Sequence, residues 1–158
     1  MTRKVGVATS AVYVVDTNLY VRAFRDPEYG TRFRAWHAEV IARLAMSAVV
    51  LHELLVGADD KHSRHLLERT YATEFHKRGR LLVPSEWVWR RAAEADRKLR
   101  ASRRYEEKLA HCSFANDLLI ALTCREVGAI LLTANTADFD LIRGVTGVRY
   151  LPDIPAPD

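Results

Sequence analysis

Short apolar runs alternate along the chain with longer stretches in which apolar positions recur at helical spacing. Within most of the runs the apolar residues are continuous, whereas a half-exposed strand alternates apolar and polar residues. Continuous runs of this kind are typical of strands that are buried on both faces. They predict five strands, at 12–15, 46–50, 80–83, 129–133 and 148–151.

Helical periodicity occupies the segments between these runs. In the stretch 31–44, for example, Phe33 and Val40 fall on one apolar face. Ser85 and Ser113 are predicted to cap two of the later helices. The remaining helices are predicted at 50–57, 59–78, 85–108, 113–127 and 136–143. Strands that alternate with helices in this way predict an α/β fold, with helices covering a mainly parallel sheet.

The chain has 158 residues, of which 49% are apolar and 28% are charged. This balance predicts a single folded domain over 1–151, and a Pro-rich tail at 152–158 that we expect to be loose. No apolar run approaches the roughly 18 residues that span a membrane, and no secretory signal is recognisable. The two cysteines, Cys112 and Cys124, are too far apart along one predicted helix to form a disulfide. A cytoplasmic location is therefore expected.

Four acidic residues stand where a carboxylate is unusual. Asp16 directly follows the first strand, and Asp138 follows the fourth by a few residues, while Glu53 and Asp117 lie in apolar helical segments. Because the carboxyl ends of parallel strands meet at one edge of a sheet, the four side chains can converge there. Each also has an ordinary explanation: a helix cap for Asp16, a first-turn position for Asp117 and Asp138, and an arginine partner for Glu53.

Converging carboxylates repel one another, so a compensating cation is expected at this edge. Oxygen ligands without nearby pairs of His or Cys favour Mg²⁺ or Mn²⁺ over zinc. Such ions serve phosphoryl transfer, in which they activate water for in-line attack. The net charge is +4 even with the four acids counted. An acidic site in a basic protein is suited to cleaving a nucleic-acid backbone.

The same residues lie in four recognisable segments: Val14-Val15-Asp16-Thr17-Asn18, Ser47 to Gly57 with Glu53-Leu54-Leu55, Asn116-Asp117 with Ile120-Ala121, and Thr133-Ala134-Asn135 with Asp138-Phe139. In order and spacing these segments resemble the PIN-domain ribonucleases, most closely the VapC-type toxins of bacterial toxin–antitoxin pairs. The resemblance extends over nearly the whole chain. It implies a three-layer α/β/α sandwich with a central, mainly parallel, Rossmann-like sheet.

The resemblance also implies a function, a Mg²⁺- or Mn²⁺-dependent endoribonuclease. Its catalytic and metal-binding carboxylates would be Asp16, Glu53, Asp117 and Asp138. Polar residues that match positions bordering the family's site form a second set: Thr17, Thr133 and Asn135. Asp138, directly before Phe139, fits the pattern better than the nearby Asp140. The implied partners are an RNA substrate, an antitoxin protein and a second copy of the chain in a homodimer, with no membrane involved.

Three other functions compete with a toxin. A PIN nuclease could act in RNA maturation or turnover without an antitoxin. A phosphatase of the haloacid-dehalogenase type also begins with an acid after the first strand, but it requires Asp-x-Asp, and Asn18 occupies the third position here. A non-catalytic nucleic-acid-binding module has no evident use for four clustered acids.

Other polar residues receive no catalytic role from the sequence. His52 is adjacent to Glu53, but neighbouring helical residues point about 100° apart, so we do not expect it to be catalytic. The arginines of the predicted helix 85–108 either contact phosphates or form a solvated face. The basic region 59–80 and the Pro-rich tail have no role that the resemblance assigns.

Overall fold

The computed structural model describes residues 11–102 and 112–156. In this part of the chain the strands form one parallel sheet in the order β3-β2-β1-β4-β5. The strands are β1 Tyr13–Val15, β2 Leu44–Ser47, β3 Leu81–Leu82, β4 Ile130–Leu132 and β5 Arg149–Leu151. The first strand of the chain is therefore central, and the strand order reverses between β1 and β4. In open parallel sheets such a reversal leaves a crevice beyond the strand ends, where ligands bind.

Helices cover both faces of this sheet, which confirms the predicted three-layer α/β/α architecture. The helices are α1 Thr17–Arg25, α2 Pro27–Val40, α3 Ala48–Val56, α4 Lys61–Leu67, α5 Thr73–Lys77, α6 Glu86–Ala101, α7 Cys112–Val127 and α8 Thr136–Thr146. A 3₁₀ turn, Ile41–Arg43, joins α2 to β2, and a π-helical turn, Glu68–Ala72, joins α4 to α5. No helix in the described ranges is long and apolar enough to cross a membrane.

The predicted boundaries around α2 and β2 are wrong by several residues. Helix α2 begins at Pro27, because the Asp26 side chain caps it by accepting hydrogen bonds from two backbone amides. The second strand ends at Ser47, whose hydroxyl accepts a hydrogen bond from the amide of Val49 and so starts α3. The apolar pair Val49-Val50 is therefore helical. A local apolar run cannot distinguish a buried strand from a buried helix.

Two further helix boundaries differ from the predictions. Helix α7 begins at Cys112, so Ser113 lies in its first turn and is not its cap. Helix α6 is capped by Ser85, as predicted, and ends at Ala101. The rest of the helix predicted to 108 lies outside the described residues.

Part of the predicted loose tail is held against the body of the protein. The hydroxyl of Tyr29 donates a hydrogen bond to Asp153 at 2.6 Å, and the guanidinium of Arg32 donates another at 2.9 Å. The side chain of Ile154 is buried in the core. These contacts attach Asp153 to α2 and Ile154 to the core, since buried apolar area and paired charge offset the entropy of ordering them.

Asp117 lies in a helix, α7, whose other residues are largely buried in the core. Its residues Ile120, Ala121 and Cys124 are fully buried, as are Val14 of β1 and Leu131 of β4. The helix is apolar around most of its circumference because it lies between the sheet and its helical neighbours. Asp117 lies in the part of the helix that lines the crevice.

Candidate active site

Asp16 lies at the reversal of strand order. Its backbone amide donates to the carbonyl of Leu132 at 2.9 Å and so extends the pairing of β1 with β4. Its buried carboxylate accepts hydrogen bonds from the amide of Thr17 at 2.8 Å, the side-chain amide of Asn18 at 2.9 Å and the hydroxyl of Thr133 at 2.7 Å. Asp16 is thus the N-cap of α1 and also the most firmly held acid of the site.

Glu53 reaches the same place from α3. The hydroxyl of Thr17 donates a hydrogen bond to one carboxylate oxygen of Glu53, and the side-chain amide of Asn116 donates to the other at 2.8 Å. Among the described residues no arginine pairs with Glu53, so the expected alternative of an arginine partner is not realised. Two neutral donors therefore orient the Glu53 carboxylate.

Asn135 connects the remaining two acids. Its side-chain amide donates to Asp138 at 3.0 Å and approaches Asp117 at 3.4 Å. Asp138 lies in the first turn of α8, and Asn135 is the residue before that helix. One amide group thus separates two carboxylates that would otherwise face each other directly.

The four acids influence one another electrostatically. Burial raises the pKa of Asp117, the neighbouring carboxylates of Asp16, Glu53 and Asp138 raise it further, and together they bring it to about 8. Burial also raises the pKa of Asp16, although its hydrogen bonds from Thr133, Thr17 and Asn18 partly oppose this effect. A carboxyl group that resists ionisation because of burial and like charge is typical of functional sites.

An open cleft of about 600 Å³, here called the acidic cleft, is lined by all four acids. The structure thus brings together Asp16, Glu53, Asp117 and Asp138, as expected from the sequence. Of the second set, Thr17 and Asn135 line the cleft and Thr133 is buried beneath Asp16.

Several polar residues of this cleft are outside the predicted set of site residues, among them His52, which was not expected to be catalytic. Asn18 and Asn116 hold two of the acids by hydrogen bonds, and His52 and Ser113 line the outer wall. Asn18 and Asn116 each lie within two residues of an acid, which is a usable signal. His52 is adjacent to Glu53 and carries the same signal, although neighbouring helical residues point about 100° apart.

Two groups of charged residues lie away from the acidic cleft. Asp140 accepts a hydrogen bond from Tyr150 and pairs with Arg143, so it is separate from Asp138. Most basic residues of α6 pair with acids one turn away along the same helix. The pairs are Arg90–Glu86, Arg91–Glu94, Lys98–Glu94 and Arg100–Asp96. This face is consistent with the solvated alternative, because paired arginines are less available to phosphate.

The donor atoms of the acidic cleft suit a hard divalent cation. Carboxylate, hydroxyl and amide oxygens are the groups that Mg²⁺ and Mn²⁺ prefer. Within 11–102 and 112–156, however, no three His, Cys, Asp or Glu side chains are arranged so as to hold an ion directly. The amide of Asn135 lies between Asp117 and Asp138, and the neighbouring carboxylates disfavour ionisation of Asp117. The residues fit such an ion by their chemistry, and binding would require them to move closer together.

Comparison with known proteins identifies the family to which this fold belongs. The PIN domain profile matches residues 13–144. No curated protein sequence matches the chain. Among solved structures, FitAB bound to an IR36 DNA fragment shares 22% identity and a TM-score of 0.60, covering 89% of this chain and 94% of the other.

Two other structures are similar to the same degree. FitAcB from Neisseria gonorrhoeae shares 20% identity, and VapBC-1 from nontypeable Haemophilus influenzae shares 22%. Both have a TM-score of 0.60 and cover 89% of this chain and 96% of the other. At these identities the likeness establishes the fold. Because the family profile spans most of the sequence, including the strand ends and helices that bear all four acids, the chain belongs to the PIN domain family, a family of nucleases.

Proposed function

We propose that this protein is a Mg²⁺- or Mn²⁺-dependent endoribonuclease and the toxin of a bacterial type II toxin–antitoxin pair, acting in the cytoplasm. The observation that carries the proposal is the convergence of four carboxylates on one open cleft of a PIN domain. Burial and the neighbouring carboxylates together raise the pKa of Asp117 to about 8, and a bound cation would offset this cost of ionisation.

In this proposal the cation is held by Asp16, Glu53, Asp117 and Asp138. When bound, it would activate water and stabilise the charge that develops on the phosphate. The protein's own donors keep the carboxylates oriented, with Thr133 fixing Asp16 and Asn135 positioned between two of the other acids. The open shape of the cleft admits an extended backbone, and the resemblance implies products with 5′-phosphate and 3′-hydroxyl ends.

Cleavage of single-stranded RNA is expected to depend on a divalent ion. EDTA should reduce cleavage to background, Mg²⁺ or Mn²⁺ should restore it, and Ca²⁺ should restore it poorly because of its larger, looser coordination. The same ions should raise the melting temperature of the ion-free protein, since they bind the folded state selectively.

Gel analysis of a 5′-labelled RNA and thermal melts with and without ions would measure both effects. Asp140→Asn is the matched control, because this acid lies outside the acidic cleft and its loss should leave both effects intact. Undiminished cleavage in EDTA would reject the ion-dependent mechanism.

The toxin assignment rests on the resemblance and on structural neighbours that are FitAB and VapBC proteins. An inhibitory partner could place an Arg or Lys among the four carboxylates, where a desolvated pair is strong. We also propose the homodimer that the resemblance implies. The side chains of Trp87 and Trp89 on α6 are exposed and offer apolar area to a second copy.

Glu53→Gln is expected to weaken the complex with an antitoxin as well as cleavage, because one carboxylate would serve both. We expect about a tenfold higher Kd, corresponding to ~1.4 kcal/mol. Titration calorimetry against the protein encoded beside this gene would measure it, with Asp140→Asn as the control.

Equal binding by parent and Glu53→Gln, with RNA cleavage intact in the complex, would show that the acidic cleft is not the inhibited surface. Cleavage without any such partner would instead support a nuclease of RNA maturation or turnover.

A further inference from the structure

A second groove lies beside the acidic cleft, between α1, α3 and α4. This side groove has a volume of about 390 Å³. Val21, Glu53 and Gly57 line both spaces, so the side groove is continuous with the acidic cleft. A polymer whose backbone crosses the four acids therefore has a direct path into the side groove.

Phe24 forms an exposed aromatic wall of the side groove. Its side chain is 54% exposed although it is large and apolar. On its inner side the ring is supported by Tyr20 and Tyr71, with ring centroids 6.5 Å and 6.4 Å away. Tyr71 comes from the π-helical turn and also packs edge-on against Tyr20 at 5.2 Å. The ring is thus held in place from behind while its outer surface stays open.

Basic and acidic residues lie at different places around the side groove. A phosphate and a base would therefore bind at different positions. Arg25 lines the side groove and is exposed, with no ion-pair partner among the described residues. Its neighbour Arg22, by contrast, is 3.6 Å from Asp153 and stacks on Tyr29. Asp59 and Asp60 also line the side groove, and these carboxylates repel phosphate from its interior.

We propose that the side groove binds a nucleobase of single-stranded RNA, in the nucleotide next to the scissile phosphate. The base stacks on Phe24, and Arg25 contacts an adjoining backbone phosphate. A fixed aromatic platform beside an unpaired guanidinium is the combination that single-stranded nucleic-acid sites use. The proposal deepens the nuclease function proposed above and rests on it.

Phe24→Ala should weaken RNA binding about fivefold to 100-fold, the range that loss of one stacked base produces. The probe is a fluorescein-labelled RNA octamer of mixed sequence, measured by anisotropy in EDTA so that it stays intact. Phe24→Trp should retain binding. Val127→Ala is the control, since it removes an apolar side chain that is 45% exposed at the end of α7 far from the acidic cleft. It should leave binding unchanged.

A second probe tests stacking itself. Octamers with one abasic residue, moved along the strand, should bind the parent more weakly at one position, and at that position Phe24→Ala should have no further effect. Circular dichroism melts would confirm that the variants fold.

Three results would overturn the proposal. The first is equal affinity of parent and Phe24→Ala for the intact octamer. The second is an equal loss in Val127→Ala. The third is a Phe24→Ala variant that loses only its protein partner, which would assign the side groove to a peptide segment. If the parent cleaves RNA but Phe24 has no effect, only this inference fails. If the parent neither binds nor cleaves RNA, the proposed function fails with it.

Discussion

Asp117→Asn is expected to reduce RNA cleavage at least 100-fold and, at the same time, to raise the thermal stability of the ion-free protein. The loss of activity follows from removing one of four proposed ion ligands while keeping the shape of the side chain. The gain in stability follows from the surroundings of Asp117, where burial and three like charges oppose ionisation.

The stability effect should depend on pH in a defined direction. The pKa of Asp117 is about 8 in the folded protein, whereas an unfolded aspartate has a pKa of about 3.9. Between these values the folded state holds a proton that the unfolded state releases, so the parent loses stability as pH rises from about 4 to about 8. Asparagine does not ionise, and the variant avoids this loss.

Melting curves in EDTA at pH 5, 6.5 and 8 would measure the difference. The melting temperature of Asp117→Asn should exceed that of the parent by a margin that widens with pH, reaching about 2 °C or more, equivalent to ~1 kcal/mol in a protein of this size. Asp140→Asn should show no such trend. A variant that is less stable than the parent at pH 8 would mean that Asp117 stabilises the fold.

Thr133→Val is expected to have the opposite effect on stability, together with a loss of activity. The buried hydroxyl of Thr133 donates to Asp16 and accepts from the side chain of Asn18 at 3.0 Å and the amide of Asn135 at 3.1 Å. Valine keeps the shape and leaves these groups without that partner, which costs about 1–3 kcal/mol and lowers Tm by several degrees. Cleavage should fall roughly 100-fold, because Asp16 loses the contact that orients it.

Thr133→Ser provides the matched control, since it restores the hydroxyl and removes only a methyl group. It should recover most of the activity and of the lost melting temperature in the same assays. If valine and serine variants behave alike, the methyl packing of Thr133 matters more than its hydroxyl. Thr133 would then have no positioning role for Asp16.

The central features of the fold were predictable because their signals are local. A strand buried on both faces leaves a continuous apolar run, and β1 and β4 were found within one residue of their predicted ends. The acids stand out in the sequence for the same reason. Asp16 ends an apolar run, and Glu53 and Asp117 lie in helices where their neighbours are apolar. The sequence therefore indicated that the four acids can meet at one edge of the sheet.

A helix start was readily predicted where a cap was visible beside a clear periodic pattern, although α8 also begins at the predicted Thr136 without a side-chain cap. Ser85 met that condition, and α6 begins directly after it. Ser47 did not meet it, because apolar residues flank this serine on both sides, from β2 into α3. The hydrogen bond from the amide of Val49 to Ser47 ends the strand there, and local composition does not reveal it.

The connections between the acids were decided by the tertiary structure alone. Thr133 meets Asp16 across 117 positions of sequence, and Asn116 meets Glu53 across 63. These pairs exist because β1 and β4 are adjacent and because α3 and α7 end at the same crevice. The exposed ring of Phe24 is likewise supported by Tyr71 from a distant π-helical turn. Sequence determined which residues could do chemistry here, and packing determined which of them meet, since contacts between distant segments leave no local pattern.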